Sequence, residues 1–228
     1  NPLAHRTPPR VGATTDLGGP NRPLHLVPWA NAYVLSGGAA YLQVIRQHLE
    51  SWFASCPYRM GPNWSSALEV AIRLINWSVT WQLLGGARSP LFDGAHGARL
   101  QQRWLESVYQ HAQFVRGYFS RHSSANNHLI GEAAGLFIAG LTWPHWRVAK
   151  KWRSTAKAIL EAEAWRQNAT DGVNREQAAA YHEFVVDFLL LCLRDGKENG
   201  SWVSVASVTR RTGMRVHSDS RPESTGDV

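Results

Sequence analysis

An all-α fold is what the amino-acid sequence predicts, and three observations predict it. From about residue 25 to residue 193, apolar side chains return every three or four positions, and almost no segment alternates with the period of two that marks a strand. The periodic segments are long and are separated by short breaks rich in Gly and Pro, which makes consecutive helices antiparallel neighbours. Apolar residues make up 44% of the 228-residue chain, enough to fill one sizeable core. Paired antiparallel helices in series fit an α/α bundle, a solenoid or a toroid. No fixed-period repeat is present, which disfavours a simple helical-repeat array.

The elements follow in order. Residues 1–24 are rich in Pro, Gly, Arg and Thr and read as an extended lead-in. A short helix over 26–35 ends at Ser36-Gly37-Gly38. Leu42, Ile45, Leu49, Trp52 and Phe53 mark one face of a helix over 39–55, closed by Cys56-Pro57. Leu68, Ile72, Ile75, Val79 and Leu83 carry a helix over about 64–84, ended by Gly85-Gly86. Leu100, Trp104, Val108, His111 and Val115 carry one over about 95–119. Further helices are predicted over about 126–140, 145–166 and 174–194, the sixth starting after Pro144 and the seventh after the Asp171-Gly172 turn. Residues 195–228 hold Ser, Thr, Arg, Asp and Gly with only a weak β-like stretch at 202–208, and read as an irregular or disordered tail.

Composition narrows the function. A net charge of +7 suggests an anionic partner: nucleic acid, a membrane surface or an acidic glycan. Eleven Trp is far above the usual share; a Trp face stacks on sugar rings, although about two thirds of these residues are expected in the core. Cys56 and Cys192 form no CxxC pattern, so neither a metal site nor a redox motif is indicated, and free, buried thiols are expected. No run of 18 apolar residues exists, so membrane insertion is not expected. The absence of GxSxG, HExxH, P-loop and GxGxxG motifs removes the corresponding hydrolase, zinc-protease and nucleotide-binding readings; no cofactor and no metal are expected.

Three clusters could carry chemistry. In the first, NWSSALEVAIRLINW over 63–77, Glu69 and Arg73 are four apart and share a helix face, with Asn76 on the same side. They read either as a surface ion pair worth roughly 0.3–0.5 kcal/mol or, with Trp64 and Trp77 beside them, as the rim of a site. In the second, SSANNHLIGEAAGLFIAG over 123–140, the small polar residues suit a helix start. Asn126 fits a capping role, whereas the Asn127 amide and the His128 imidazole sit where free N–H groups and partial positive charge attract a carboxylate. Glu132, one turn on, is placed to orient that imidazole. In the third, RQNATDGVNREQAAAYHEF over 166–184, Tyr181 and His182 point about 100° apart on a helix. Tyr181 is either a core ring with its hydroxyl at the edge or a catalytic phenol.

Together these three segments, in this order and spacing, resemble the heparinase II/III-like polysaccharide lyases and their alginate lyase relatives, over roughly residues 25–193. The resemblance implies an α/α toroid followed by a β-sandwich domain. It also implies β-elimination at uronic acid residues of glycans such as heparan sulfate or alginate, and a periplasmic or secreted location. The matching positions are Asn127 and His128 for neutralising the uronate carboxylate and Tyr181 for work at the glycosidic bond, a further His or Tyr often coming from the β domain. Donors must sit where charge grows in the enolate-like transition state. A phenol can take the C5 proton only where cations lower its pKa, and it can then protonate the leaving oxygen. Arg73, Arg121 and His122 are candidates for binding acid groups, with Trp64, Glu69, Asn76, Trp77, Asn126, Glu132 and His182 completing the expected substrate-binding set.

The chain departs from the family where Gln167-Asn168 replaces the usual Gln-Ile pair, and no β-sandwich sequence follows Arg194. An incomplete toroid lacking that domain, truncated or frame-shifted after about Lys197, is therefore expected. The expected partner is an acidic polysaccharide rather than nucleic acid. The alternatives are an α/α-toroid glycoside hydrolase, which needs two opposed carboxylates such as Glu69, Glu132, Asp171, Glu176 or Glu183, and a non-catalytic module binding acidic glycans.

Overall fold

The computed structural model of the protein describes residues 25–122, 127–167 and 192. The lead-in over 1–24, the helix over 174–194 apart from Cys192, and the tail over 195–228 lie outside the described residues. Six α-helices order the rest: α1 Leu26–Ser36, α2 Ala39–Ser55, α3 Ala67–Leu83, α4 Gly94–Gly117, α5 Asn127–Thr142 and α6 Ala149–Gln167. Three short 3₁₀ turns, Pro62–Trp64, Gly86–Arg88 and Pro90–Phe92, complete the set, and no strand occurs among the described residues. The protein is all-α, with the helix pairs of an α/α toroid.

Local chemistry sets the breaks. α1 stops at Gly37, whose left-handed φ of 68° returns its N–H to the Tyr33 carbonyl at 2.8 Å. α3 starts later than the periodicity predicts. Gly61 and Pro62 open a 3₁₀ turn that takes Trp64, and Ser66, in extended backbone, caps the helix by accepting the Glu69 N–H at 3.4 Å. Ser66 and Glu69 hold the N-cap and N3 positions of a capping box. α6 likewise starts at Ala149 because residues 143–148 form successive turns.

α5 lies at the centre. All of its residues except His128 and Thr142 are buried, the pattern of a helix covered on every side. It packs on α3, α4 and α6. The approach to α3 is close: a Cβ on Gly135 would fall 2.8 Å from both the Cβ and the carbonyl oxygen of Ala71. Most Trp residues serve this core. Trp64, Trp77, Trp81, Trp104, Trp143 and Trp152 are buried, and Trp29, Trp52 and Trp146 pack half-buried against them. Cys56, half-buried, and Cys192, buried, form no disulfide among the described residues.

Candidate active site

The starts of α3 and α5 and the end of α4 surround an open cavity of about 650 Å³. Trp64, Ser65, Ser66 and Ala67 come from the start of α3, Phe114, Tyr118 and Ser120 from the end of α4 and beyond, His128 from the first turn of α5, and Arg59 from the α2–α3 connection. Two helix N-termini thus reach one cavity. Each brings backbone N–H groups without intrahelical partners and the positive end of its dipole. No carboxylate occurs among the described lining residues. The electrostatic character of the wall favours an anion.

The two walls are pinned from behind. Both Glu132 oxygens are committed to Ser120: Oε2 accepts its backbone N–H and Oε1 its hydroxyl, each at 2.7 Å. Burial pushes the Glu132 carboxyl above the ordinary glutamate value, and the two Ser120 hydrogen bonds pull against that shift. On the other wall, Asn63 bridges two elements: its amide donates to Cys56 Sγ at 2.8 Å, and its carbonyl accepts from an Arg73 terminal nitrogen at 2.6 Å.

Arg73 itself is fully buried. Its Nε donates to His111 Nε2 at 3.1 Å, and its guanidinium lies over the rings of Trp52 and Trp64, 4.7 and 5.6 Å from their centroids. Accepting at Nε2 makes His111 the neutral tautomer whose Nδ1–H donates to the Ser107 carbonyl at 2.7 Å. Burial, reinforced by Arg73, holds His111 well below the usual imidazole range; burial also lowers Arg73 to about 10.

Residues 21–207 match the family model described as Heparinase II/III N-terminus. The chain belongs to the heparinase II/III family. Similar heparinase II/III relatives include a heparin-sulfate lyase of Bacteroides thetaiotaomicron, 29% identical over 170 residues that are 71% of this chain and 22% of the relative. A heparin-sulfate lyase of Pedobacter heparinus is 26% identical over 176 residues, 73% of this chain and 25% of that one. The chain therefore spans a quarter or less of the length of these relatives. The fold matches that of heparinase III (TM-score 0.74, 22% identity, 90% of this chain and 31% of that one). It also matches the heparan sulfate lyase of Pedobacter heparinus (TM-score 0.71, 22% identity, 88% and 32%).

In this heparinase II/III chain the predicted site residues divide. His128 and Trp64 line the cavity, although Trp64 is only 6% exposed and forms wall rather than stacking platform. Asn127 opens α5 beside His128 and is 4% exposed. Arg73 is buried rather than at the surface, because the segment before α3 folds over it. Trp77 is not at a rim: it is fully buried, packed edge-on to Trp52 and Phe53. Asn76 donates its amide to the Ile72 carbonyl of its own helix at 2.9 Å. Glu69 sits in the first turn of α3, and Glu132 holds Ser120. Arg121 and His122 are exposed beyond α4, outside the described lining. Asn126, Tyr181 and His182 lie outside the described residues, as do Asp171, Glu176 and Glu183. Among the described residues no group of three or more His, Cys, Asp or Glu could hold a metal ion. Sequence reasoning missed Arg59 and Tyr118; the Pro57 and Gly61-Pro62 bracket just before the capping box was the available signal for Arg59.

Proposed function

We propose that this protein acts as the helical domain of a polysaccharide lyase that cleaves uronic-acid-containing glycans, such as heparan sulfate or alginate, by β-elimination. The observation that carries the reading is His128 at the start of α5, lining a cavity where two helix N-termini meet and no described carboxylate intrudes. The relatives' activity on heparin sulfate supports the same substrate class. The proposed reaction breaks the C5–H bond and the C4–O bond and forms a C4=C5 double bond. Donors at Asn127 and His128 neutralise the uronate carboxylate as negative charge spreads onto it. Tyr181 takes the C5 proton and returns one to the leaving oxygen. A periplasmic or secreted location suits such a substrate; among the described residues, no helix is long and apolar enough to cross a membrane.

Hydrolysis would need two opposed carboxylates, and Glu132 already spends both oxygens on Ser120. A non-catalytic glycan-binding module is the second reading, favoured by the net charge of +7. The test is to incubate the protein, at its gene-encoded length, with heparan sulfate and with alginate. New ultraviolet absorbance from an unsaturated uronate is the expected result. New reducing ends without that absorbance would establish hydrolysis, and salt-dependent binding without any cleavage would establish the binding module.

A further inference from the structure

Within that reading of the cavity, we infer that Arg59 and Tyr118 form a specificity-determining subsite, in which Tyr118 stacks on a sugar ring and Arg59 grips an anionic substituent, sulfate ester or carboxylate. The cavity has a buried floor, made by Trp64, Ala67 and Phe114, and an exposed edge, where Arg59 is open to solvent and Tyr118 is 54% exposed. The exposed pair is held in place. The Arg59 guanidinium sits 5.1 Å from the Tyr58 ring centroid and 5.9 Å from that of Tyr118. Tyr58 is itself fixed edge-on to Trp64 at 4.9 Å, and Tyr118 packs on Phe114 at 4.6 Å. A side chain left only to solvate a loop needs none of these supports.

The backbone carries the same message. Arg59 has a φ of 63°, the one positive value at a non-glycine position among the described residues. Bulky residues seldom adopt this conformation, and its strain persists only where the surroundings hold it. Hydrogen bonding to Tyr58, with both nearby tyrosines adding to the effect, pushes the Arg59 pKa up, so the group is a permanent cation. No described carboxylate lies within ion-pair distance of it. A planar guanidinium with free edge N–H groups binds carboxylate or sulfate through two parallel hydrogen bonds, which an ammonium cannot reproduce. The adjoining aromatic face suits the apolar face of a pyranose.

The test compares wild type, Arg59→Ala, Arg59→Lys and Tyr118→Ala, at gene-encoded length, on heparan sulfate and on its chemically desulfated counterpart, with equilibrium binding of both polymers measured alongside. Arg59→Ala is expected to raise KM about ten-fold or more while kcat changes little, with Arg59→Lys recovering only part of the loss. Tyr118→Ala is expected to raise KM on both polymers. A KM rise confined to the sulfated polymer assigns Arg59 to sulfate, and a rise on both assigns it to the carboxylate. Unchanged KM and unchanged binding for Arg59→Ala on both polymers would overturn the subsite. Wild-type protein that binds but does not cleave would sink the lyase reading alone, since the binding ratio of the variants still decides the role of Arg59.

Discussion

Arg73 and His111, 38 positions apart, are joined by a hydrogen bond from a guanidinium to a neutral imidazole in the interior, Nε to Nε2 at 3.1 Å. The bond ties α3 to α4 directly behind Trp64, the aromatic wall of the cavity, whose ring centre lies 4.5 Å from that of His111. Burial, reinforced by Arg73, keeps His111 neutral at an acidity where the unfolded chain takes up a proton.

The consequence is a pH-dependent stability. In the unfolded chain His111 titrates near its ordinary 6.5, whereas in the fold burial and Arg73 hold it well below that value. Above about 6.5 both states are neutral and the fold keeps its full stability. As pH falls below 6.5, the unfolded state takes up a proton that the folded state refuses, so stability drops by a little over 1 kcal/mol per pH unit at most. Urea unfolding from about pH 8 to about pH 5 should show a shallower decline in His111→Gln than in the wild type. Equal slopes would mean that His111 binds a proton in the fold.

Arg73→Lys should be destabilising. The ammonium keeps the charge but cannot serve His111 Nε2 and the Asn63 carbonyl together, and each buried acceptor left unserved costs about 1–3 kcal/mol. Denaturant midpoints of the two proteins measure the loss. A midpoint matching the wild type would show that the lysine reaches both acceptors.

Gly135→Ala probes the seam between α3 and α5. The added methyl would lie 2.8 Å from Ala71, so the helices must part, at a cost of about 1–3 kcal/mol, rather than gain the helical preference of alanine. A raised melting temperature in this variant would contradict the close approach.

Asn127→Ala in the protein at gene-encoded length should lower kcat by about 10²–10³, as expected for the loss of one donor to a developing anion, and Tyr181→Phe should abolish cleavage while leaving binding nearly intact. Steady-state kinetics and glycan affinity read both. Asn127→Ala with unchanged turnover would reduce that residue to a helix cap.

The helices were legible because their apolar faces repeat with a clear period. Leu68, Ile72 and Ile75 on α3 and Leu100, Trp104 and Val108 on α4 are all buried where the pattern puts them. Boundaries were less so. The apolar Trp64 extends the α3 pattern, but Gly61-Pro62 diverts it into a 3₁₀ turn and Ser66 sets the true start. The site was harder still. A spacing of four between Glu69 and Arg73 is the same whether the helix faces water or core, and the burial of Arg73 depends on the Asn63 segment closing over it, a tertiary contact without a local signature. Asn76 was placed near the site by spacing, yet its amide turns back to its own helix. Trp77 looked like a rim because aromatic residues suit both sugars and cores, and only packing separates the two. Arg59 lies in a loop, where no periodicity points to it.

Under the proposed function, the tight seat of Gly135 on Ala71 bears on the cost of catalysis. α3 and α5 meet there without intervening side-chain bulk, so their N-terminal ends cannot drift apart independently. The donors at those ends are arranged before any polymer arrives, and little of the free energy of association is diverted into assembling them. Inhibitors that mimic a planar, charge-delocalised uronate would exploit that stiffness better than flexible substrate fragments.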